Sequence, residues 1–208
     1  MSRVKLSILI PTVPSRVNNK FITLIENLQT QIGNKKNVEI IGLFDNKKRT
    51  LGEKRQSMVD IANGDYITFI DDDDRIADTY ITDILLSLEE TPDCDCVVFD
   101  CICTENHIKK TYCKYGIEFE YTDDGNGNWT GKPAHTMVYK KSIISNCKYY
   151  SVSCGEDMNW VKQAWPNIKV QARISKVLYY YDANKETSET QGDGIFTKTT
   201  LTQPTINI

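Results

Sequence analysis

Hydrophobic and polar positions recur with two different periods in the first part of the chain. Residues 5–11 (KLSILIP) form an apolar run that ends at a proline, which is typical of a buried strand. Residues 38–44 (VEIIGLF) predict a second strand. Between them, apolar residues recur at helical spacing before the stop signal at Gly33: Phe21, Leu24, Ile25, Leu28 and Ile32. This order indicates a parallel strand pair with a right-handed crossover.

The next stretch repeats the pattern and ends in a run of acids. After a basic loop at residues 46–49, Thr50 introduces a second helix. We expect its inward-facing residues to be Met58, Ile61 and Ala62. Residues 65–70 then predict a buried strand that stops at four consecutive aspartates, residues 71–74. Repeated strand and helix units are typical of a doubly wound α/β half, here about residues 1–91.

Beyond Pro92 the apolar segments become shorter. Residues 96–103 and 110–121 predict strands, and residues 123–128 (DDGNGN) are rich in turn-forming residues. Two interpretations of this turn-rich stretch stay open. It is either a plain hairpin turn or a mobile loop that covers a substrate, with Trp129 as a stacking surface.

The rest of the second half predicts a mixture of elements. Residues 137–139 indicate a short strand, and a helix opens at Glu156 and ends before Pro166. Residues 170–181 predict one long strand or two broken ones. The tail, residues 183–208, has little periodicity, and a lid, an added strand and disorder remain open. We predict one domain, with a second half at about residues 92–182.

Four adjacent carboxylates require a physical explanation. Open α/β sheets bind ligands beyond the carboxyl ends of their strands, where residues 71–74 lie. Two charges about 5 Å apart repel by roughly 3 kcal/mol at an effective dielectric of about 20. A solvated turn that caps the next helix at Asp78 or Thr79 is the alternative, but a cap needs only one aspartate. We therefore favour a site for a divalent metal or a phosphate.

Composition narrows the classes of partner. The formal net charge of −3 and the pI near 5.5 make a nucleic-acid partner unlikely. No apolar run has the length of a membrane span, and residues 1–5 do not resemble a signal peptide, so we expect a soluble, cytoplasmic protein. Four of the seven cysteines are Cys94, Cys96, Cys101 and Cys103, and we expect small buried strand residues there instead of a zinc site.

The ordered motifs resemble one known family. They are Pro11-Thr12 after the first strand, Asp45 after the second, Gly52-x-x-Arg55, GDYI before FIDDDD, and Glu156-Asp157 at a helix start. Together they are similar to the GT-A glycosyltransferases, in particular the inverting family 2 enzymes and their short viral and phage members. The resemblance implies a single GT-A domain, with a Rossmann-like nucleotide-binding half and a mixed-sheet acceptor half.

The resemblance also implies how a nucleotide sugar binds. Asp45 would bind the base and Arg55 would lie near the diphosphate, although Gln56 stands where family members often have asparagine. The remaining nucleotide-sugar residues would be Pro11, Thr12, Val13, Arg16, Asp71 and Asp72. The donor would be a UDP-type or GDP-type sugar.

Metal and catalytic roles follow from the same resemblance. Asp73 is our best metal ligand, and Asp71, Asp74 and His135 are further candidates for Mn²⁺ or Mg²⁺. Asp157, or less favourably Glu156, would take the proton of the acceptor hydroxyl. Simple N-capping of the helix is the alternative for this pair of acids.

The acceptor side is less defined. A glycan or glycoprotein is the expected acceptor, with Trp129 and Trp160 as contact candidates. His135 is equally compatible with metal or acceptor contact and with a structural role, and we expect His107 to be structural. Two alternatives to a glycosyltransferase remain: a nucleotidyltransferase of similar architecture, and a non-catalytic module that binds a nucleotide or sugar.

Overall fold

The computed structural model describes residues 3–105 and 109–183 of the chain. Our expectations for His107 and for the tail from residue 184 onwards lie outside these residues. The helices are α1 (Asn19–Ile32), α2 (Leu51–Ile61), α3 (Tyr80–Glu90) and α4 (Glu156–Ala164). The strands are β1 (Leu6–Thr12), β2 (Val38–Phe44), β3 (Tyr66–Phe69), β4 (Arg75–Ile76), β5 (Cys96–Glu105), β6 (Lys109–Tyr115), β7 (Thr122–Asp123), β8 (Asn128–Gly131), β9 (Val138–Lys140) and β10 (Gln171–Ala183).

One mixed sheet runs through the described part of the chain. Its main order is β2-β1-β3-β9-β5-β6-β8-β7, with β10 beside β5 and β4 beside β10. Strands β1, β2 and β3 are parallel, which confirms the predicted α/β arrangement of the first half. The chain crosses from β1 to β2 and returns past β1 to β3, so right-handed connections place α1 and α2 on opposite faces of the sheet.

The helices of the first half begin at recognisable caps. The Asn18 side chain accepts hydrogen bonds from two amides of α1, and Thr50 forms a capping box with Glu53 at α2. At α3 the N-cap prediction was only partly right. Thr79 occupies the cap position, but its hydroxyl donates to Asp83 at 2.7 Å and caps no backbone amide.

The inward face of α2 differs from our prediction at one position. Met58 and Ala62 are buried as expected, whereas Ile61 is exposed. The positions that α2 buries instead include two cationic residues, Lys54 and Arg55. A hydrophobic pattern does not reveal this face, because its buried side chains carry charge and form ion pairs at the sheet edge.

The second half is built around β5. This strand is antiparallel to β6 and β9 and parallel to β10, and β10 is one long strand with irregular register. Strand β6 is shorter than predicted, because Gly116 begins a turn closed by the Phe119 amide. The DDGNGN stretch is the hairpin turn between β7 and β8, where the Asp124 carboxylate accepts from the amides of Asn126 and Asn128.

The cysteine-rich segment of the chain lies in β5 and just before it. Cys96 and Cys101 are buried in β5 and Cys94 is buried just before it, as predicted for small core residues, whereas Cys103 of β5 is only partly buried; all four are free thiols. No helix within residues 3–105 and 109–183 combines the length and apolar character needed to cross a bilayer.

Candidate active site

Three strands of the first half carry polar residues to one edge of the sheet. Thr12 ends β1, Asp45 follows β2, and the four aspartates follow β3. The carboxyl ends of parallel strands meet at one edge, so these groups converge as the sequence predicted. The helix α2 adds two buried cations, Lys54 and Arg55, to the same region.

Lys54 ties the second strand to the first. Its Nζ lies 2.7 Å from Asp45 Oδ1 and donates to the Thr12 carbonyl at 2.7 Å. Burial would raise the pKa of Asp45, but the hydrogen bond and charge of Lys54 outweigh it and lower that pKa. Asp45 Oδ2 is buried without a hydrogen-bond partner among the described residues, so it is an available acceptor at the predicted base position.

Asp72 joins the end of β1 to Arg16. The Thr12 hydroxyl donates to Asp72 Oδ2 at 2.6 Å, and Arg16 Nη2 lies 3.0 Å from Asp72 Oδ1. Burial raises the pKa of Asp72 to about 6 despite these two partners. Arg16 also pairs with Asp73, so a single guanidinium serves two adjacent carboxylates.

Arg55 is the buried cation between the acids of β3 and the start of α4. Its Nη2 donates to Asp71 Oδ1 at 2.7 Å, and its Nε lies 3.3 Å from Glu156 Oε1. Burial would raise the pKa of Asp71, but the charge of Arg55 outweighs it and holds that pKa well below its usual value. The guanidinium also lies over the Phe69 ring, 4.9 Å from its centroid.

Asp74 has a structural role, which corrects our assignment of this residue as a metal candidate. The Tyr179 hydroxyl donates to Asp74 Oδ2 at 2.6 Å, and the Asp182 amide donates to Oδ1 at 3.2 Å. Both oxygens of this fully buried carboxylate therefore anchor β10. Burial and then the charge of Asp71 raise its pKa well above the usual value.

Asp71 and Asp73 are the acids that remain partly open to solvent, with side chains 27% and 28% exposed. Among residues 3–105 and 109–183, no three carboxylate, histidine or thiol side chains form a ready metal centre. Two open carboxylates still suit an ion of the Mg²⁺ or Mn²⁺ type, which takes its other ligands from water and substrate phosphates. The donor set thus fits a divalent ion that completes its coordination with oxygen atoms from outside the protein.

The acids at the start of α4 differ in exposure. Gly155, with φ of +75°, occupies the N-cap, so neither acid is a simple cap. Glu156 is buried against Arg55, and burial raises its pKa. Asp157 is 41% exposed, and its Oδ2 lies 3.5 Å from His135 Nδ1. Asp157 is therefore the acid that a substrate can reach.

Aromatic side chains border Asp157. The Tyr121 ring lies 5.2 Å from Trp129 and 6.0 Å from Trp165, and its hydroxyl contacts the Met158 sulfur. Burial and then the charge of Asp157 raise the pKa of Tyr121 to about 12. Gly131 leaves room for this packing, because a Cβ there would lie 2.7 Å from the Trp129 ring.

Trp160 was wrongly assigned as an acceptor contact. It is fully buried, stacked on Tyr149 at 5.1 Å between centroids and edge-on to Tyr139 at 5.0 Å. Its ring therefore has no surface for an acceptor. Sequence reasoning also missed three polar residues of the site region, which are Lys54, Tyr121 and Tyr179.

Comparison with solved structures identifies similar folds. The sequence of this protein is 16% identical to that in the crystal structure of S. aureus TarS. The two structures superpose with a TM-score of 0.60, over 88% of this chain and 37% of the TarS chain. TarS 1–349 in complex with UDP-GlcNAc gives 16% identity and a TM-score of 0.59 over 87% and 59% of the two chains. Its complex with UDP gives 16% identity and a TM-score of 0.57 over 88% and 62%. The chain thus spans between 37% and 62% of these chains.

Comparison at the level of sequence gives a more specific result. No curated protein gives a significant match to the chain. The family model described as Glycosyl transferase family 2 matches residues 7–147, from β1 to the segment that follows β9. Since this match covers more than half of the sequence, the chain belongs to glycosyl transferase family 2.

Proposed function

We propose that this protein is a metal-dependent, inverting glycosyltransferase, which moves a sugar from a nucleoside diphosphate sugar to a hydroxyl group. One observation carries the proposal. Asp71 at the nucleotide edge and Asp157 at the start of α4 face the two ring nitrogens of His135. An acid for the donor side and an accessible acid for the acceptor side therefore lie on opposite sides of one imidazole ring. The Asp71 Oδ2 atom is 3.8 Å from Nε2, and the Asp157 Oδ2 atom is 3.5 Å from Nδ1.

The donor would bind along the carboxyl ends of β1 to β3. Asp45 Oδ2 is a free buried acceptor, which suits the ring N–H of uracil and also that of guanine. Pro11 and Val13 flank Thr12 at the end of β1 and would line the nucleotide pocket. The UDP and UDP-GlcNAc complexes of TarS support a UDP-sugar as the first donor to test.

The diphosphate would lie beside Asp71 and Asp73. Arg16 and Arg55 neutralise part of the acidic charge there. The open carboxylate oxygens of Asp71 and Asp73 would hold Mn²⁺ or Mg²⁺ together with phosphate oxygens. An ion bound in this way would neutralise charge that develops on the leaving diphosphate.

Asp157 would act as the general base. It accepts the proton of the acceptor hydroxyl while that oxygen bonds to the anomeric carbon of the sugar. The bond between the anomeric carbon and the diphosphate breaks on the opposite face, so the anomeric configuration inverts. The Tyr121 ring near Asp157, and the Trp129 ring packed against Tyr121, would be the surfaces on which an acceptor sugar stacks.

The test replaces the carboxylate of the proposed base with an amide of nearly the same size and shape. Asp157→Asn should lower the release of UDP from UDP-sugars about 10²-fold to 10⁴-fold, because the amide accepts no proton. UDP binding with Mn²⁺, measured by calorimetry, should not change. Asp60→Asn, an exposed acid of α2, is the matched control and should keep full activity.

The product identifies the reaction class. Release of UDP indicates glycosyl transfer, whereas release of pyrophosphate from a sugar phosphate and UTP would indicate nucleotidyl transfer. Equal rates for the wild type and Asp157→Asn would contradict the role of Asp157. Nucleotide binding without turnover in either protein would favour a binding module.

A further inference from the structure

His135 lies in a segment that the backbone holds rigidly just before β9. The Thr136 carbonyl accepts from the Thr68 hydroxyl at 3.0 Å, and the Pro133 carbonyl accepts from Trp165 Nε1 at 2.8 Å. The Ala134 carbonyl accepts from the Met137 amide and from the Tyr139 hydroxyl. These anchors at the two residues before His135 and the one after it limit where the His135 ring can reach.

The ring of His135 bridges two carboxylates. Its Nδ1 lies 3.5 Å from Asp157 Oδ2, and its Nε2 lies 3.8 Å from Asp71 Oδ2. The side chain is only 13% exposed, and Nε2 is buried without a hydrogen-bond partner among the described residues. The ring is therefore in place to hold Asp157, with its second nitrogen turned away from solvent.

The two carboxylates depend on this histidine to different degrees. Asp71 already accepts a hydrogen bond from Arg55 at 2.7 Å, so it has a strong partner without His135. Asp157 meets His135 Nδ1 through Oδ2, and its Oδ1 accepts from the adjacent Met158 amide at 2.7 Å. Loss of the imidazole therefore frees Asp157 more than Asp71.

The contacts of Arg55 and His135 connect the first turn of α4 to Asp71. Arg55 contacts Glu156, His135 contacts Asp157, and both Arg55 and His135 also contact Asp71. The start of α4 is thus joined to the acids of the nucleotide edge at two successive residues. This arrangement sets the distance between the acceptor side and the donor side of the site.

We propose that His135 is a positioning residue that orients the Asp157 carboxylate through Nδ1 at a site beside Asp71. This inference rests on the proposed role of Asp157 as the base. An Nδ1–H directed at Oδ2 keeps the carboxylate at the position from which it meets the acceptor hydroxyl. No proton of the reaction passes through the ring, because the hydroxyl proton goes to Asp157.

Two amide variants separate the two ring nitrogens. An asparagine at position 135 places its amide nitrogen near the position of Nδ1, and a glutamine reaches nearer the position of Nε2. His135→Asn should therefore retain most of kcat for UDP release from UDP-GlcNAc. His135→Gln should lower kcat on the order of 10-fold to 100-fold, with an unchanged donor KM, because a misplaced group costs rate without weakening donor binding.

A double variant tests whether the effect passes through Asp157. In an Asp157→Asn background, His135→Gln should cause no further loss of kcat, since two residues that act through one contact are not additive. Lys162→Gln, an exposed position of α4, is the control and should match the wild type. Independent losses that multiply in the double variant would overturn the proposal.

Metal binding provides the rival explanation. If His135 were a ligand through Nε2, His135→Gln would retain more activity than His135→Asn, and the affinity for Mn²⁺ with UDP would fall in step with kcat/KM. Either result would overturn the positioning role, as would full activity in both variants. Unchanged Mn²⁺ affinity with a lower kcat supports it.

Crystal structures of the two variants test the positioning role of His135 without a measurement of turnover. The Asp157 carboxylate should keep its place in His135→Asn and move or lose definition in His135→Gln. If the wild type turned over no nucleotide sugar, the proposed function would fail, yet these crystals would still show whether His135 fixes Asp157. An unmoved Asp157 in both variants would overturn the positioning role while leaving the proposed function intact.

Discussion

The first half, which we propose binds the nucleotide, and the second half, which we propose binds the acceptor, are organised by different interactions around the same edge of the sheet. In the first half each acid at this edge meets a cation or a donor, as in the contacts of Asp45 with Lys54 and Asp71 with Arg55. In the second half aromatic rings dominate, with Trp160 between Tyr139 and Tyr149. Ion pairs depend on charge and pH, whereas packed rings depend on shape and burial.

This difference corresponds to the two substrates that we propose. A diphosphate carries charge, so it suits a region of carboxylates, guanidinium groups and a divalent ion. A neutral sugar presents hydroxyl groups and apolar ring faces, which suit aromatic side chains beside a single acid. Arg55 and His135 connect the two regions through Asp71.

The largest expected effect on stability lies in the aromatic half. Trp160→Ala should lower the free energy of unfolding by about 3–5 kcal/mol, because it removes a fully buried ring and leaves a cavity. Urea denaturation monitored by circular dichroism measures this change. Trp160→Phe should cost much less, since Trp160 Nε1 is a buried donor with no partner among the described residues.

A neighbour on the same helix provides the control. Met158→Ala should change the free energy of unfolding by less than about 1 kcal/mol, because Met158 is 39% exposed and Trp160 is fully buried. Similar losses at positions 158 and 160 would contradict the packing that distinguishes them. So would a Trp160→Phe variant as unstable as Trp160→Ala.

The second-largest expected effect on stability tests the buried ion pairs of the first half. Arg55→Lys should lower the free energy of unfolding by about 2 kcal/mol, because an ammonium group cannot reproduce the planar contacts with Asp71 and Glu156. Denaturant titration without nucleotide measures the loss. Arg49→Lys, at an exposed site that contacts Ser57, is the matched control and should be nearly neutral.

Equal stability of the two arginine variants would show that Arg55 acts as a simple point charge. The predicted difference depends on burial, because the Arg55 guanidinium is removed from water and the Arg49 side chain is not. Nucleotide binding provides a second measurement. The Arg55→Lys variant should bind UDP more weakly if Asp71 then turns toward the diphosphate.

The fold was predictable where interactions are local. The apolar spacing from Phe21 to Ile32 and the caps at Asn18 and Thr50 define helices within a few residues, so the nucleotide-binding half followed from the sequence. In the second half β5 pairs with β10, more than 60 residues away, and no local pattern encodes that pairing. The order of the strands in the second half could therefore be determined only from the structure.

The site was predictable by residue type and less so by role. A run of four acids indicated a functional edge, but the environment of each acid decides its role, and Asp74 turns inward to Tyr179. For Trp160 the helical spacing with Val161 and Ala164 already indicated the core. Lys54 was missed because a lysine in a helix is normally expected at the surface.

The smallest expected effect tests how the two halves respond to pH. Asp45→Asn should lower the free energy of unfolding by about 1 kcal/mol at pH 7, since it removes the charge that faces Lys54 but leaves an amide oxygen that can still accept a hydrogen bond from Lys54 Nζ. The folded-state pKa of Asp45 is lowered, so its contribution is present above the unfolded pKa of about 3.9 and is lost as pH falls through the folded value. The gap between Asp45→Asn and the wild type should therefore narrow below about pH 4.

Trp160→Phe is the control for this comparison, because no ionisable group is removed and its cost should be the same at pH 7 and at about pH 3, below the unfolded pKa of Asp45. Denaturant titrations of the wild type and both variants at the two pH values provide the measurement. A gap for Asp45→Asn that widens toward low pH would contradict the sign of the shift. A pH-dependent cost at Trp160 would show that the aromatic packing of the acceptor half is coupled to the charged groups at the sheet edge.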